Sequence, residues 1–126
     1  MAGTVTEVAT NLNNHGHLQS MTWTWLSNAS GAASKTVYDL VGTIERVSFI
    51  PSSGTAPTQH NVTLLDAKGL DVFNAAGGSL SATVKSHGVM GGTAPKFPIA
   101  TSGNLTFTVD TAGSAKVGTC TAYFRR

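Results

Sequence analysis

Few side chains in this 126-residue sequence could do chemistry: six carboxylates (Glu7, Asp39, Glu45, Asp66, Asp71, Asp110), four histidines (His15, His17, His60, His87) and one thiol, Cys120. Catalysis needs such groups to converge, and their spacing gives little sign of it. Asp66-x-Lys68-x-x-Asp71 is only loosely like a calcium loop. It lacks a ligand at the third position and a closing Glu, so turn capping is the expected role of these carboxylates. His15-x-His17 has a spacing a metal could use, but no cysteine or nearby carboxylate completes a four-ligand set, and a solvated turn is expected. His60 and His87 lie beside polar stretches and read as surface residues. Cys120 sits mid-strand between Thr119 and Thr121 and reads as a small buried hydrophobe rather than a nucleophile. No GxSxG elbow, GxGxxG or GxxxxGK[ST] loop is present. The sequence therefore predicts no catalytic residues, no cofactor and no metal.

The elements that would position these groups are strands. Leu18 to Leu26 (LQSMTWTWL) alternates strictly, with Met21, Trp23 and Trp25 on one face and Ser20, Thr22 and Thr24 on the other. Two indoles on one face bury a large area, which places them over a core or at a subunit contact. A sugar-stacking platform is the competing use. At the other end of the chain, Leu105, Phe107 and Val109 alternate with Asn104, Thr106 and Thr108. After Asp110-Thr111-Ala112-Gly113-Ser114, which has turn chemistry, Lys116 to Arg125 resumes the alternation. Val117, Thr119, Thr121 and Tyr123 share one face there, and Gly118, Cys120, Ala122 and Phe124 the other. This stretch reads as a terminal hairpin around which a sheet is organised, with small residues on one face that would let a second layer approach. Between these ends, Gly3 to Leu12 reads as a short strand or an extended arm. Thr36 to Ile50 reads as one strand bent near Gly42 or as two, and Thr43–Ile50 with Asn61–Asp66 as a hairpin with a long connection. Leu70 to Phe73 reads as an additional short strand, Asn74 to Val84 fits several conformations, and Lys85 to Pro98 reads as an exposed excursion rich in Gly and Pro.

The resulting expectation is a single all-β domain, a β-sandwich or jelly-roll-like barrel of seven or eight antiparallel strands, with residues 1–12 as a possible arm and 85–98 as an exposed loop. Composition agrees: 40% of residues are hydrophobic but only 11% are charged, about half the usual share. Such a surface suits a protein packed against neighbours. The net charge of +2 is spread along the chain apart from Arg125-Arg126, which argues against nucleic acid as the main partner. No apolar run approaches the ~20 residues of a membrane-spanning helix. The polar N-terminus lacks the pattern of a secretory leader, so the sequons at Asn28, Asn61 and Asn104 carry no weight. Synthesis in a cytoplasm is expected.

Four stretches in order, Met21–Ser34 (MTWTWLSNASGAAS), Val41–Thr58 (VGTIERVSFIPSSGTAPT), Asn61–Phe73 (NVTLLDAKGLDVF) and Gly103–Arg125 (GNLTFTVDTAGSAKVGTCTAYFR), resemble a family of small structural proteins of tailed bacteriophages. The shared features are a W-x-W-like strand, a P…G…APT loop, an LLDA-x-GLDV turn and a closing G-x-LT-x-TV…AG-x-AK-x-GT segment. The resemblance implies a non-enzymatic virion component, with a capsid decoration or cement protein on the head surface as the leading expectation. A head–tail joining or tail-tube protein is the alternative within the same particle, and a carbohydrate-binding module using the Trp face the alternative of another class. The implied partners are the major capsid protein and further copies of the chain, a homotrimer being the favoured assembly. Trp23, Trp25, Phe97, Tyr123 and Phe124 are the candidate interface anchors.

Overall fold

The computed structural model describes residues 3–11, 18–38, 42–52, 57–73, 78, 80, 86–88, 99–101 and 103–125. These residues form nine strands: β1 (Thr4–Asn11), β2 (Leu18–Leu26), β3 (Ala33–Val37), β4 (Gly42–Pro51), β5 (Asn61–Leu65), β6 (Ser86–Gly88), β7 (Ile99–Thr101), β8 (Leu105–Asp110) and β9 (Val117–Arg125). Two are only three residues long. All pairing is antiparallel. The larger sheet runs β1-β2-β9-β4, and the far side of β4 is shared by β6 and β7; the smaller runs β3-β8-β5. The domain is thus a two-sheet sandwich and not a closed barrel.

Only β1 and β2 are both consecutive in the chain and paired along their length. From β2 onward the chain alternates sheets: β3 is in the smaller, β4 in the larger, β5 in the smaller, β6 and β7 in the larger, β8 in the smaller, β9 in the larger. Two expectations are corrected by this. β8 and β9 are not a hairpin; each is a central strand of a different sheet. β4 and β5 likewise belong to different layers. Thr36 to Ile50 resolves into two elements, with β3 ending at Val37 and β4 beginning at Gly42.

The connection between β8 and β9 explains why they separate. Thr111 (φ 58°), Gly113 (φ 87°) and Ala115 (φ 54°) all occupy the left-handed region. A β-branched residue there is unusual and must be held by its surroundings. The loop's backbone finds its partners in other loops: Ala112 N–H donates to Gly31 O (3.0 Å), Thr58 N–H donates to Ala112 O (3.0 Å), and Ser27 N–H donates to Lys116 O (2.9 Å). The Thr58 hydroxyl adds a bond to Thr111 O at 2.7 Å. Three loops are knitted together at one pole, and the last of them arches from one sheet to the other.

The core lies between the sheets. From the larger sheet come Met21, Trp23, Trp25, Ile44, Val47, Phe49, Cys120, Ala122 and Phe124; from the smaller come Ala33, Val37, Val62, Leu64, Leu105, Phe107 and Val109. Alternation accounts for this selection, since inward positions on β2, β5, β8 and β9 fall on every second residue. The small residues of β9 do not serve the use expected of them. Gly118, Cys120 and Ala122 are the register partners of Trp25, Trp23 and Met21 on the adjacent strand. A Cβ built on Gly118 would overlap the Trp25 ring. The small side chains therefore make room for neighbours within their own sheet, a large-against-small pairing that lets two indoles lie flat over the core.

Two outer strands each carry one charge at an inward-parity position. On β1 this is Glu7, opposite Trp23. On β3 it is Lys35, opposite Phe107 and exposed although Ala33 and Val37 on either side are buried. Charges so placed on outer strands make pairing with a foreign strand costly and so protect the sheet edges.

Candidate interaction surfaces

The groups able to do chemistry have structural work where they are described. Asp66 Oδ1 accepts hydrogen bonds from Lys68 N–H (2.9 Å) and Leu70 N–H (3.0 Å), so it caps the turn after β5. Asp71 Oδ1 accepts from Leu64 N–H (3.0 Å) and Phe73 N–H (2.9 Å), fixing the segment that delivers Phe73 to the core. Turn capping, the expected role of this pair, is what the geometry gives. Cys120 is fully buried, and desolvation pushes its thiol well above the ordinary range, as befits an inert core residue. Among the described residues no three His, Cys, Asp or Glu side chains come together in a metal-sized group. His15 and His17 lie outside the described residues.

His60 corrects an expectation. It is 3% exposed rather than on the surface. Its ring lies 5.4 Å from that of Trp25, and its backbone exchanges hydrogen bonds with Leu80. Nδ1–H donates to Thr58 O at 2.8 Å, which fixes the tautomer, because a carbonyl can only accept. Burial holds the imidazole below its usual range, partly offset by that hydrogen bond.

Of the five aromatic anchors, three are inside. Trp23 is 0% exposed, Trp25 2% and Phe124 2%, so none is available to a partner. Trp23 stacks on Phe107 of the opposite sheet, with centroids 4.9 Å apart and planes 18° from parallel, and meets Phe73 edge-on at 6.1 Å. The indole N–H, which would otherwise be a buried orphan, donates to Glu7 Oε2 at 2.9 Å. Of the uses open to the two indoles, core and contact, the structure has them in the core, where neither can serve as a sugar-stacking platform. Tyr123 alone among the described anchors faces outward. It is half-buried, with the Arg46 guanidinium carbon 4.9 Å from its ring centre. Phe97 lies outside the described residues. Of the two readings of Gly3 to Leu12, strand and arm, the strand is the one found: Thr4–Asn11 is paired along its length with β2. Of residues 85–98, only 86–88 are described, as a strand on β4.

The surface the sequence analysis did not single out is the outer face of the larger sheet. Register sets its side chains in rows across four strands. One central row is Val8, Thr22, Thr121 and Ser48; the next is Thr6, Thr24, Thr119 and Ile50. Beyond them lie Thr4, Leu26 and Val117 on one side, and Thr10, Ser20, Tyr123 and Arg46 on the other. The first three rows contain no charged residue. Val8 is 56% exposed and Ile50 40%, flanking a central block of four threonines. Thr22 and Thr121 hydroxyls bond each other across the strands at 3.1 Å. Charge gathers at the fourth row and just past it, where Arg125 Nε reaches Glu45 Oε1 at 3.1 Å beside the irregularity in β4 between Ile44 and Arg46. The signal was present in the sequence as three of its four Thr-x-Thr repeats, at Thr4, Thr22 and Thr119, the fourth, at Thr106, belonging to the smaller sheet. Their alignment into one field needs the strand order.

No family model matches this chain, and none of the curated proteins searched matches it.

Proposed function

We propose that the chain is a non-enzymatic structural component of a tailed-phage virion, a capsid decoration protein that binds the assembled head through protein–protein contact. Its partners are the major capsid protein and other copies of itself. The observation that carries this reading is the broad outer face of the larger sheet, where three successive rows hold no charge. An uncharged face of β-branched side chains sheds water at low cost when buried against another subunit, and paired copies that touch the shell at other points sum modest contacts into firm attachment. The ordered motif set from Met21 to Arg125 supports the same assignment by resemblance. The roles of Asp66, Asp71 and Cys120 support a structural rather than catalytic chain, since the first two are engaged by backbone amides and the third is sealed in the core.

The test is the composition of purified virions. A decoration protein is found by quantitative mass spectrometry at a copy number comparable to that of the major capsid protein. Particles stripped of it lose head stability and regain it when the purified chain is added back. A single ring's worth of copies would instead assign the chain to the head–tail joint, and a stack of rings to the tail tube. Absence from every particle would overturn the virion assignment.

A further inference from the structure

We propose that the outer face of the larger sheet is a self-association surface, on which a second copy of the chain packs face to face about a two-fold axis. The proposal rests on the self-association half of the proposed function and not on its capsid half, and it replaces the three-fold assembly expected from sequence.

The occupant follows from the geometry of the face. Four strands about 4.8 Å apart and roughly seven residues long together present a face on the order of 500 Å², so a pair of faces buries about 1,000 Å², near the lower limit for a specific interface. Sheets pack face to face readily, because two surfaces with the same twist interdigitate at about −30°. A two-fold pairing also keeps charge out of opposition. Where the four rows cross β1, β2, β9 and β4, the one charged residue is Arg46, in the outermost row and on β4, beyond which β6 and β7 continue the sheet. A two-fold axis between β2 and β9, along the strands or across them, carries each corner of this four-strand field to a different corner. Each Arg46 thus meets either the β1 side or the Leu26–Val117 end of its partner, never the other Arg46. The desolvation cost is reduced as well: one of the Thr22 and Thr121 hydroxyls donates to the other at 3.1 Å, so covering the pair leaves one O–H rather than two to find a partner. The protruding side chains, Val8 and Ile50, flank the threonine block on opposite sides, where each reaches across to the partner.

The test uses Thr24, an exposed residue in a central row. Sedimentation equilibrium of the full chain over a wide concentration range is expected to show a monomer–dimer equilibrium. Thr24→Glu and Thr24→Lys, each placing two like charges within about 5–7 Å across the axis, are each expected to abolish the dimer. An equimolar mixture of the two is expected to re-form it, with opposite charges now facing. Retention of the blue-shifted emission of the buried Trp23 and Trp25 shows that each variant is folded. A wild-type chain that stays monomeric at every concentration overturns the proposal. So does a trimer, a dimer that both variants leave intact, or a mixture that stays monomeric. Particle composition reads the capsid assignment separately: a chain found abundantly in virions but monomeric in solution sinks the pairing alone, and a dimer missing from virions sinks the capsid role alone.

Discussion

The two faces of the strand pair β2–β9 are made from alternate residues of the same two segments, yet they are built on opposite rules. Inward, Trp25 lies beside Gly118, Trp23 beside Cys120 and Met21 beside Ala122. Each large side chain is matched by a small one. Outward, Thr24 lies beside Thr119 and Thr22 beside Thr121, like beside like. The inner face is a fitted surface in which each position depends on its neighbour. The outer face is uniform, and a single change there disturbs at most one hydrogen bond, as between Thr22 and Thr121. The contrast separates what holds the subunit together from what it offers to others, and substitutions on the two faces should differ accordingly.

The largest effect is expected at Trp23. Replacing it with Ala removes the stack on Phe107, the edge contact with Phe73 and the partner of Glu7. Chemical denaturation should report a loss of about 3–5 kcal/mol, the usual range for deleting a buried aromatic. Gly118→Val attacks the same face from the small side: the new side chain must displace the Trp25 ring, and overpacking of this kind costs about 1–3 kcal/mol. If this variant were as stable as wild type, the large-against-small account of the inner face would fail.

His60 sharpens the comparison by pH. Its folded-state pKa is lowered from 6.5, chiefly by burial, so the unfolded chain takes up a proton where the folded one does not. The stability it allows is fully present above the unfolded value and declines as pH falls from 6.5 toward the lowered folded value, levelling off below it. A denaturation series across that window should show the decline in wild type and a flatter profile in His60→Gln. The smallest effect is expected outside. Thr121→Val removes the hydroxyl pair with Thr22 but keeps the branched shape, and stability should stay within about 0.5 kcal/mol of wild type, as is usual for surface positions.

The fold was legible wherever the physics was local. Alternation located β2, β8 and β9 and assigned Met21, Trp23 and Trp25 to one face, and the turn chemistry around Asp66 and Asp71 marked both as caps. It failed where the answer lay in pairing. β8 and β9 look like a hairpin because an Asp- and Gly-containing turn separates two alternating runs. The left-handed Thr111 and Ala115, and hydrogen bonds to Gly31, Thr58 and Ser27, turn that connection into an arch between layers. Glu7 was one of six scattered carboxylates until β1 set it opposite Trp23. His60 reads as a surface residue because its sequence neighbours are polar, while its burial comes from Trp25 and the Leu80 bridge, neither of them close in the chain.

What the amino-acid sequence determined by itself was which residues form strands and which side of each strand is apolar, because both follow from a period of two along a single segment. What only the tertiary structure decided was which strands lie side by side. That choice turns the indoles from possible contacts into core and lines up three separate Thr-x-Thr repeats as one uncharged face. It also makes the last two strands the centres of two different sheets. Pairing is a relation between distant segments, set by how their side chains fit, and alternation within one segment carries no record of its partner.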